Sequence, residues 1–154
     1  MPIRLSPRAT KLLMSLWPPF LGAGIRVREV APDWRRVVVE LKLGLTNRNA
    51  LGTHFGGSLY AMTDPFFVQM LLHNLAVDHV VWDKAASVEF LAPGRGTMRA
   101  EMRLADEDLA TIRRMTASGD KHLHVFRVDV VDEQQLVVAR VEKVVYVRRR
   151  PEAA

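Results

Sequence analysis

Between Gly57 and Leu72 the chain reads GSLYAMTDPFFVQMLL, and Asp64 is its one acidic or basic side chain. Burying an unpaired carboxylate is costly, so such a group either finds partners or shifts its pKa until it is neutral. The run opens at Gly56-Gly57, where a helix N-terminus would present unpaired N–H groups and a positive dipole end to developing negative charge. Oxyanion donors at one end and a lone carboxylate two turns further on form the pattern of a hydrolytic site. A second reading of Asp64 is a helix N-cap. Pro65 follows it and would take the first helical position, so that Gly57–Thr63 and the residues from Pro65 onward form two helical pieces. The two readings are compatible, since a proline that frees the Ala61 carbonyl and bends the helix would also expose Asp64.

Other residues offer weaker chemistry. His54 lies in the preceding loop, within reach of a substrate, and Phe55 beside it could line the same mouth. Asp83, in a strand expected beside the central helix, could orient a water or Asn49, or pair with a basic neighbour. Arg95, in the turn Pro93-Gly94-Arg95-Gly96, could hold a phosphate bidentately or simply be an exposed turn residue. His122 and His124 share one strand face and could bind a metal, but no third ligand is evident, and no metal site is expected. Trp17, Phe20, Phe66, Phe67 and Met70 suit a core or the wall of an apolar tunnel.

The elements that must position these residues are mostly strands. Trp34 to Leu43 alternates Val37, Val39 and Leu41 against Arg36, Glu40 and Lys42, and Thr97 to Leu104 alternates Met98, Ala100 and Met102 against Arg99, Glu101 and Arg103. Each predicts a half-buried antiparallel strand. Gly24–Val30, His79–Leu91, Lys121–Val131 and Leu136–Arg148 bring the expectation to about six strands, with Asp132 to Gln135 turning between the last two. A helix is expected from Asp106 as N-cap to Gly119, with Glu107 and Asp108 in its first turn and Arg113 and Arg114 towards its end. Near the N-terminus, Ser6 as N-cap and Pro7 at the first position open a short amphipathic helix. Its Leu12, Leu13, Leu16 and Trp17 fall to one side and are expected to pack on the domain, with attachment to a membrane surface as the lesser alternative. The segment from Gly57 to about His73 is apolar nearly all round and must be enclosed.

At 154 residues the chain is expected to form one domain, residues 1–154, with an N-terminal helical segment 1–23 and a core 24–148; it is long enough to bury roughly 70% of its unfolded surface. With no cysteine, disulfides, thiolate metal sites and a Cys nucleophile are excluded. The net charge of +5 invites a nucleic-acid reading, but Lys and Arg are spread along the chain with acids between them, Arg148 to Arg150 being the one dense cluster; the modest excess suits a small anionic ligand better, and no nucleic-acid partner is expected. No segment reaches the roughly 18 unbroken apolar residues of a membrane span, and no targeting signal is evident, which points to the cytoplasm.

The order of helix, two strands, buried helix and four strands is that of the hotdog fold, an α+β architecture in which a curled antiparallel sheet wraps one central helix. The stretch Asn49-Ala-Leu-Gly-Thr-His-Phe-Gly-Gly-Ser-Leu-Tyr-Ala-Met-Thr-Asp64 resembles the loop-and-helix signature of the PaaI-like hotdog thioesterases, and is most similar to the DUF4442 branch of that superfamily. Val88 to Gly96 resembles the strand ending in a Phe-x-x-Pro turn, and Val138 to Val147 the closing strand. The resemblance implies that Asp64 acts as nucleophile or general base, that Asn49 positions the thioester or water, and that the Gly56 amide, beside Gly57, binds the thioester oxygen. The family commonly carries His directly before the Gly-Gly pair; here that place is Phe55 and the imidazole stands at His54.

A thioester carbonyl is activated enough for a carboxylate, an oxyanion donor and an ordered water to suffice, without a cofactor. The expected activity is hydrolysis of an acyl-CoA or acyl-carrier thioester to acid and free thiol, with Arg95 on a CoA phosphate. The alternative is a non-catalytic protein that binds acyl groups; a hotdog dehydratase is disfavoured by the displaced imidazole. Exposed edges of one curled sheet imply a homodimer, or a dimer of dimers.

Overall fold

Residues 5–150 are described in a computed structural model of the chain. The alternating segments become β1 (Ile25–Val30), β2 (Arg36–Lys42), β3 (His79–Phe90), β4 (Thr97–Arg103), β5 (Lys121–Val131) and β6 (Val137–Arg149). They form one sheet in the order β1-β2-β4-β5-β6-β3, with every pair antiparallel. The ladder between β4 and β5 is short, pairing Arg99 with Val131 and Ala100 with Val130, so the sheet opens there into two wings. Asp132 Oδ1 accepts from the amides of Gln134 and Leu136 and closes the turn into β6.

The apolar segment after Gly56 lies against the sheet in two pieces, α3 (Gly56–Ala61) and α4 (Phe66–Asn74). Pro65 explains the break, because it has no N–H to give the Ala61 carbonyl. That carbonyl is taken instead by the Asp64 amide at 3.3 Å, and Thr63 N–H bonds the Tyr60 carbonyl at 2.9 Å, so the junction is wound as a 3₁₀ turn. Phe66, Phe67, Met70 and Leu71 of α4 are buried, with Phe67 stacked on Phe126 of β5 at 4.3 Å between ring centres. These rings, with Val37, Val39, Leu41, Met98 and Met102 beneath them, are the core.

Three helical expectations are corrected. The N-terminal helix forms as α1 (Pro7–Leu16), continued by a short α2 (Pro18–Ala23), but Leu12, Leu13, Leu16 and Trp17 point to solvent. Thr10 is the buried residue of α1, and Ser15 Oγ accepts from the Val27 amide of β1 at 3.0 Å. Periodicity locates an apolar face but not what lies opposite it. The remaining helix, α5 (Asp106–Thr116), has Ala105 rather than Asp106 at its N-cap; Asp108 Oδ2 accepts from the Ala105 amide at 2.9 Å, half of a capping box without a hydroxyl. Pro65 stands at the N-cap of α4, one position before the first helical residue.

Candidate active site

Asp64 stands in the turn between α3 and α4. Its carboxylate caps neither helix, since no side chain caps either one. One oxygen, Oδ1, accepts from Tyr60 Oη at 2.5 Å and from Lys143 Nζ at 2.7 Å. Among the described residues nothing donates to Oδ2, and the side chain is 44% exposed. The carboxylate is therefore anchored through one oxygen and open through the other.

Lys143 is the residue on which this arrangement turns, and it is fully buried. It comes from β6, where Val141, Lys143, Val145 and Val147 are all buried and must share the inward face because side chains alternate along a strand. Its Nζ donates to Asp64 Oδ1, to the Asp64 carbonyl at 2.8 Å and to Tyr60 Oη at 3.4 Å, and it forms an ion pair with Asp83 Oδ2 at 3.0 Å, which satisfies a buried ammonium. The Nζ also lies 5.3 Å from the centre of the Tyr60 ring. Burial pulls the Lys143 pKa down, but hydrogen bonds to Asp64 and Asp83 and their charges outweigh it and raise the value. Burial pushes Asp83 up, opposed by Lys143, and Asp83 Oδ1 is buried without a partner. Tyr60 is raised by burial and by its bond to the Asp64 carboxylate. Two carboxylates against one ammonium leave the cluster a single negative charge, with an open oxygen at Asp64.

Sequence reasoning found Asp64 and Asp83 but missed Lys143 and Tyr60. Both left a signal. Lys143 occupies an inward-facing register in an otherwise valine-rich strand, and Tyr60 precedes Asp64 by four residues, the spacing of neighbours on a helix face. Asp83 faces Lys143 rather than Asn49.

The loop before α3 is built differently from the expectation for its side chains. Asn49 Nδ2 donates to Thr53 Oγ1 and the His54 carbonyl, while its Oδ1 accepts from the amides of Leu51 and Thr53. Its amide is spent on holding its own loop. His54 is buried; its Nε2 donates to the Gly96 carbonyl at 3.0 Å and its backbone amide to the Gly94 carbonyl at 3.0 Å. Burial lowers its pKa, so it stands neutral, as a staple between the loop and the Gly94–Gly96 turn. The Nδ1 atom is buried without a partner. The staple holds the turn that carries exposed Arg95 against the loop that carries exposed Phe55.

Gly56 and Gly57 are the first two residues of α3, where backbone amides have no intrahelical acceptor. A Cβ at Gly56 would sit 2.9 Å from the tip of the Phe90 ring at the end of β3, an exposed side chain that would have to move aside. Eight residues of helical rise put the Gly56 amide and Asp64 of one chain roughly 12 Å apart. His122 and His124 are placed elsewhere. His124 Nε2 bonds Asp108 of α5 at 3.0 Å and its Nδ1 lies 3.2 Å from His122 Nε2. Among the described residues no cluster of three or more His, Cys, Asp or Glu could hold a metal, and no helix is long and apolar enough to cross a membrane.

Comparison with known proteins agrees with this architecture. The fold is shared with PA5026 from Pseudomonas aeruginosa, a protein of unknown function described as a probable thioesterase (TM-score 0.81, 20% identity, 93% of this chain and 95% of that one). It is shared also with thioesterase HI1161 from Haemophilus influenzae (TM-score 0.67, 12% identity, 96% and 94%). The PaaI protein of the E. coli phenylacetic acid degradation operon aligns with a TM-score of 0.59 at 16% identity, over 94% and 92% of the chains. No curated protein matches the sequence. At these identities the likeness establishes the hotdog fold. Residues 7–147 match the family described as a domain of unknown function, DUF4442, and with that span covering nearly the whole chain, the protein belongs to the DUF4442 family of hotdog proteins.

Proposed function

We propose that the protein is an acyl-CoA thioesterase, working in the cytoplasm as a homodimer whose sites each draw on two chains. The observation that carries this reading is the Asp64 carboxylate, fixed through Oδ1 by Tyr60 and Lys143 and open at Oδ2. A carboxylate whose second oxygen is free can take a proton from water while the water oxygen attacks the thioester carbonyl carbon. The oxyanion that forms would be met by the amides of Gly56 and Gly57. Collapse breaks the C–S bond, and the proton held by Asp64 passes to the departing thiolate, giving carboxylic acid and free CoA. Base and oxyanion donor must reach the same carbonyl, which a separation of roughly 12 Å along one chain forbids. A second protomer can supply the missing half. Arg95, exposed in the turn held against the Phe55 loop, suits a CoA phosphate; an acyl-carrier thioester would engage the same chemistry.

A second reading has one observation in its favour. Asn49 and His54 are both occupied in shaping their own loop, which also suits a protein that binds acyl groups without turning them over. A panel of acyl-CoAs of increasing chain length separates the two, with released thiol measured for wild type and Asp64→Asn. The thioesterase reading expects turnover with at least one chain length and a loss of about a hundredfold or more in Asp64→Asn. Binding without turnover across the panel leaves the second reading.

A further inference from the structure

The chain carries 22 Lys and Arg against 17 Asp and Glu. Five of the basic residues, Arg4, Arg8, Lys11, Arg26 and Arg28, fall in the first 28 residues, where there is no acid. The remaining 126 residues balance 17 basic against 17 acidic, so the whole net charge of +5 belongs to the N-terminal segment. The same segment holds the exposed apolar face. Leu12, Leu13, Leu16, Trp17 and Leu21 are 46 to 61% exposed, and the three leucines of α1 project opposite the buried Thr10 and half-buried Met14 that seat the helix. Arg8 borders that stripe, and neither Arg8 nor Lys11 forms an ion pair among the described residues. Both line a cleft of about 400 Å³ with Arg28 and Glu29, where Arg28 is paired with Glu40 and Glu29 with Arg36.

We propose that this face is a docking surface for an anionic lipid bilayer. An amphipathic helix with leucines and a tryptophan on one side and unpaired basic groups beside them lies in the plane of a membrane interface, its apolar side among the acyl chains. Trp17 at the end of α1 suits the headgroup level, and Arg8 and Lys11 meet the negative surface potential. A second copy is disfavoured as occupant, because two such faces would bring Arg8 and Lys11 of both copies together while the acids beside them, Glu29 and Glu40, are already paired with Arg36 and Arg28. An acidic protein seated in the cleft would meet Arg8 and Lys11 but leave the leucines and Trp17, which do not line it, uncovered. Ser15 and Met14 hold α1 to the sheet by its other side, so the helix can enter an interface without unfolding the domain.

Co-sedimentation of the full chain with sucrose-loaded vesicles tests this. The expectation is that wild type pellets about tenfold more with vesicles of phosphatidylcholine and phosphatidylglycerol in equal parts than with phosphatidylcholine alone, and that high salt releases it. Leu12→Glu/Leu16→Glu should reduce pelleting about tenfold with an unchanged melting temperature, because both side chains are exposed. Arg8→Glu/Lys11→Glu should abolish the preference for the anionic vesicle. The proposal is overturned if wild type stays in the supernatant with both vesicles, or if the leucine variant pellets like wild type. It is equally overturned if, with no vesicle binding, the leucine substitutions halve the mass in solution, which would make the face an interface between copies. Retention on an acidic carrier protein with no vesicle binding would assign the face to a protein partner.

Discussion

Lys143 shows how a buried charge is tolerated when all its protons are used. Its neighbours Asp64, Asp83 and Tyr60 arrive from three elements, and none can keep its present state without the ammonium. Removing the ammonium leaves Asp83 and Asp64 unpaired, and because their side chains are 30% and 44% exposed solvent screening brings the cost below that of a fully buried pair, to about 2–3 kcal/mol. Lys143→Met should therefore lower stability strongly in chemical denaturation. Adding Asp64→Asn and Asp83→Asn should recover part of the loss, since no unpaired charge then remains. The pH dependence has a definite sign. The folded pKa of Lys143 is raised above the ordinary lysine value, so its stabilisation is complete below that value and lost as pH rises through the raised one. Wild type should show an alkaline loss of stability beginning near the ordinary lysine pKa, and melting curves of Lys143→Met should lack that component. Of this cluster Asp64 was legible as the lone charge in an apolar run. Lys143 was masked by the other charges of its strand, Arg140 and Glu142 among them, and only its inward register sets it apart from them.

The α3–α4 junction turns a backbone defect into a presented side chain. Because Pro65 cannot bond the Ala61 carbonyl, the chain tightens into a 3₁₀ turn and Asp64 emerges partly exposed. Pro65→Ala would restore a donor where a continuous helix needs one. The expected result is unchanged or higher melting temperature with at least about a tenfold loss of thioester hydrolysis, because the carboxylate rotates out of register with Lys143. Retained activity would mean that the break does not position Asp64. Asn49→Ala removes hydrogen bonds internal to one loop and should cost about 1–3 kcal/mol, with a smaller loss of turnover than Asp64→Asn. The strands were legible to within a residue or two, because alternation and burial go together in a sheet with one wet face. The outward face of α1 was not, since amphipathicity is the same whether the apolar side meets a core or something outside the molecule. Nor was the inward turn of His54, which depends on the Gly94–Gly96 turn folding back against it from 42 residues along the chain.

At the scale of the whole molecule, charge and edges divide the sheet into two ends. Glu101 gathers Arg36, Arg99 and Arg103 on the solvent side; the hydrogen bond from Arg36 leads in holding its pKa down to about 2 from 4.5. Such a group stabilises above its unfolded pKa and loses that contribution as pH falls towards the folded value. Glu101→Gln should therefore flatten the acid loss of stability between pH 4.5 and about 2, as followed by thermal melting. At the β1 edge, six residues long, α1 is tied by Ser15 to the Val27 amide. At the opposite edge β3 runs twelve residues, and Lys84 to Ser87 along it are exposed.

A long edge with unpaired backbone groups is a template for another strand, and a copy of β3 is the partner that symmetry supplies. Phe90, which overlies Gly56, ends this strand, and Asp83, which holds Lys143, lies within it. Pairing two copies antiparallel through β3 would carry the α3 N-terminus of one protomer towards Asp64 of the other, bringing together what one chain keeps roughly 12 Å apart. The test is complementation. Gly56→Val chains, in which a side chain collides with the Phe90 ring, and Asp64→Asn chains should each be inactive. Unfolded and refolded together, they should form heterodimers with one intact site of two, and activity should return to about a quarter of wild type for random pairing, where half the dimers are mixed. Mixed dimers separated by a charge tag and found inactive would place the whole site within one protomer.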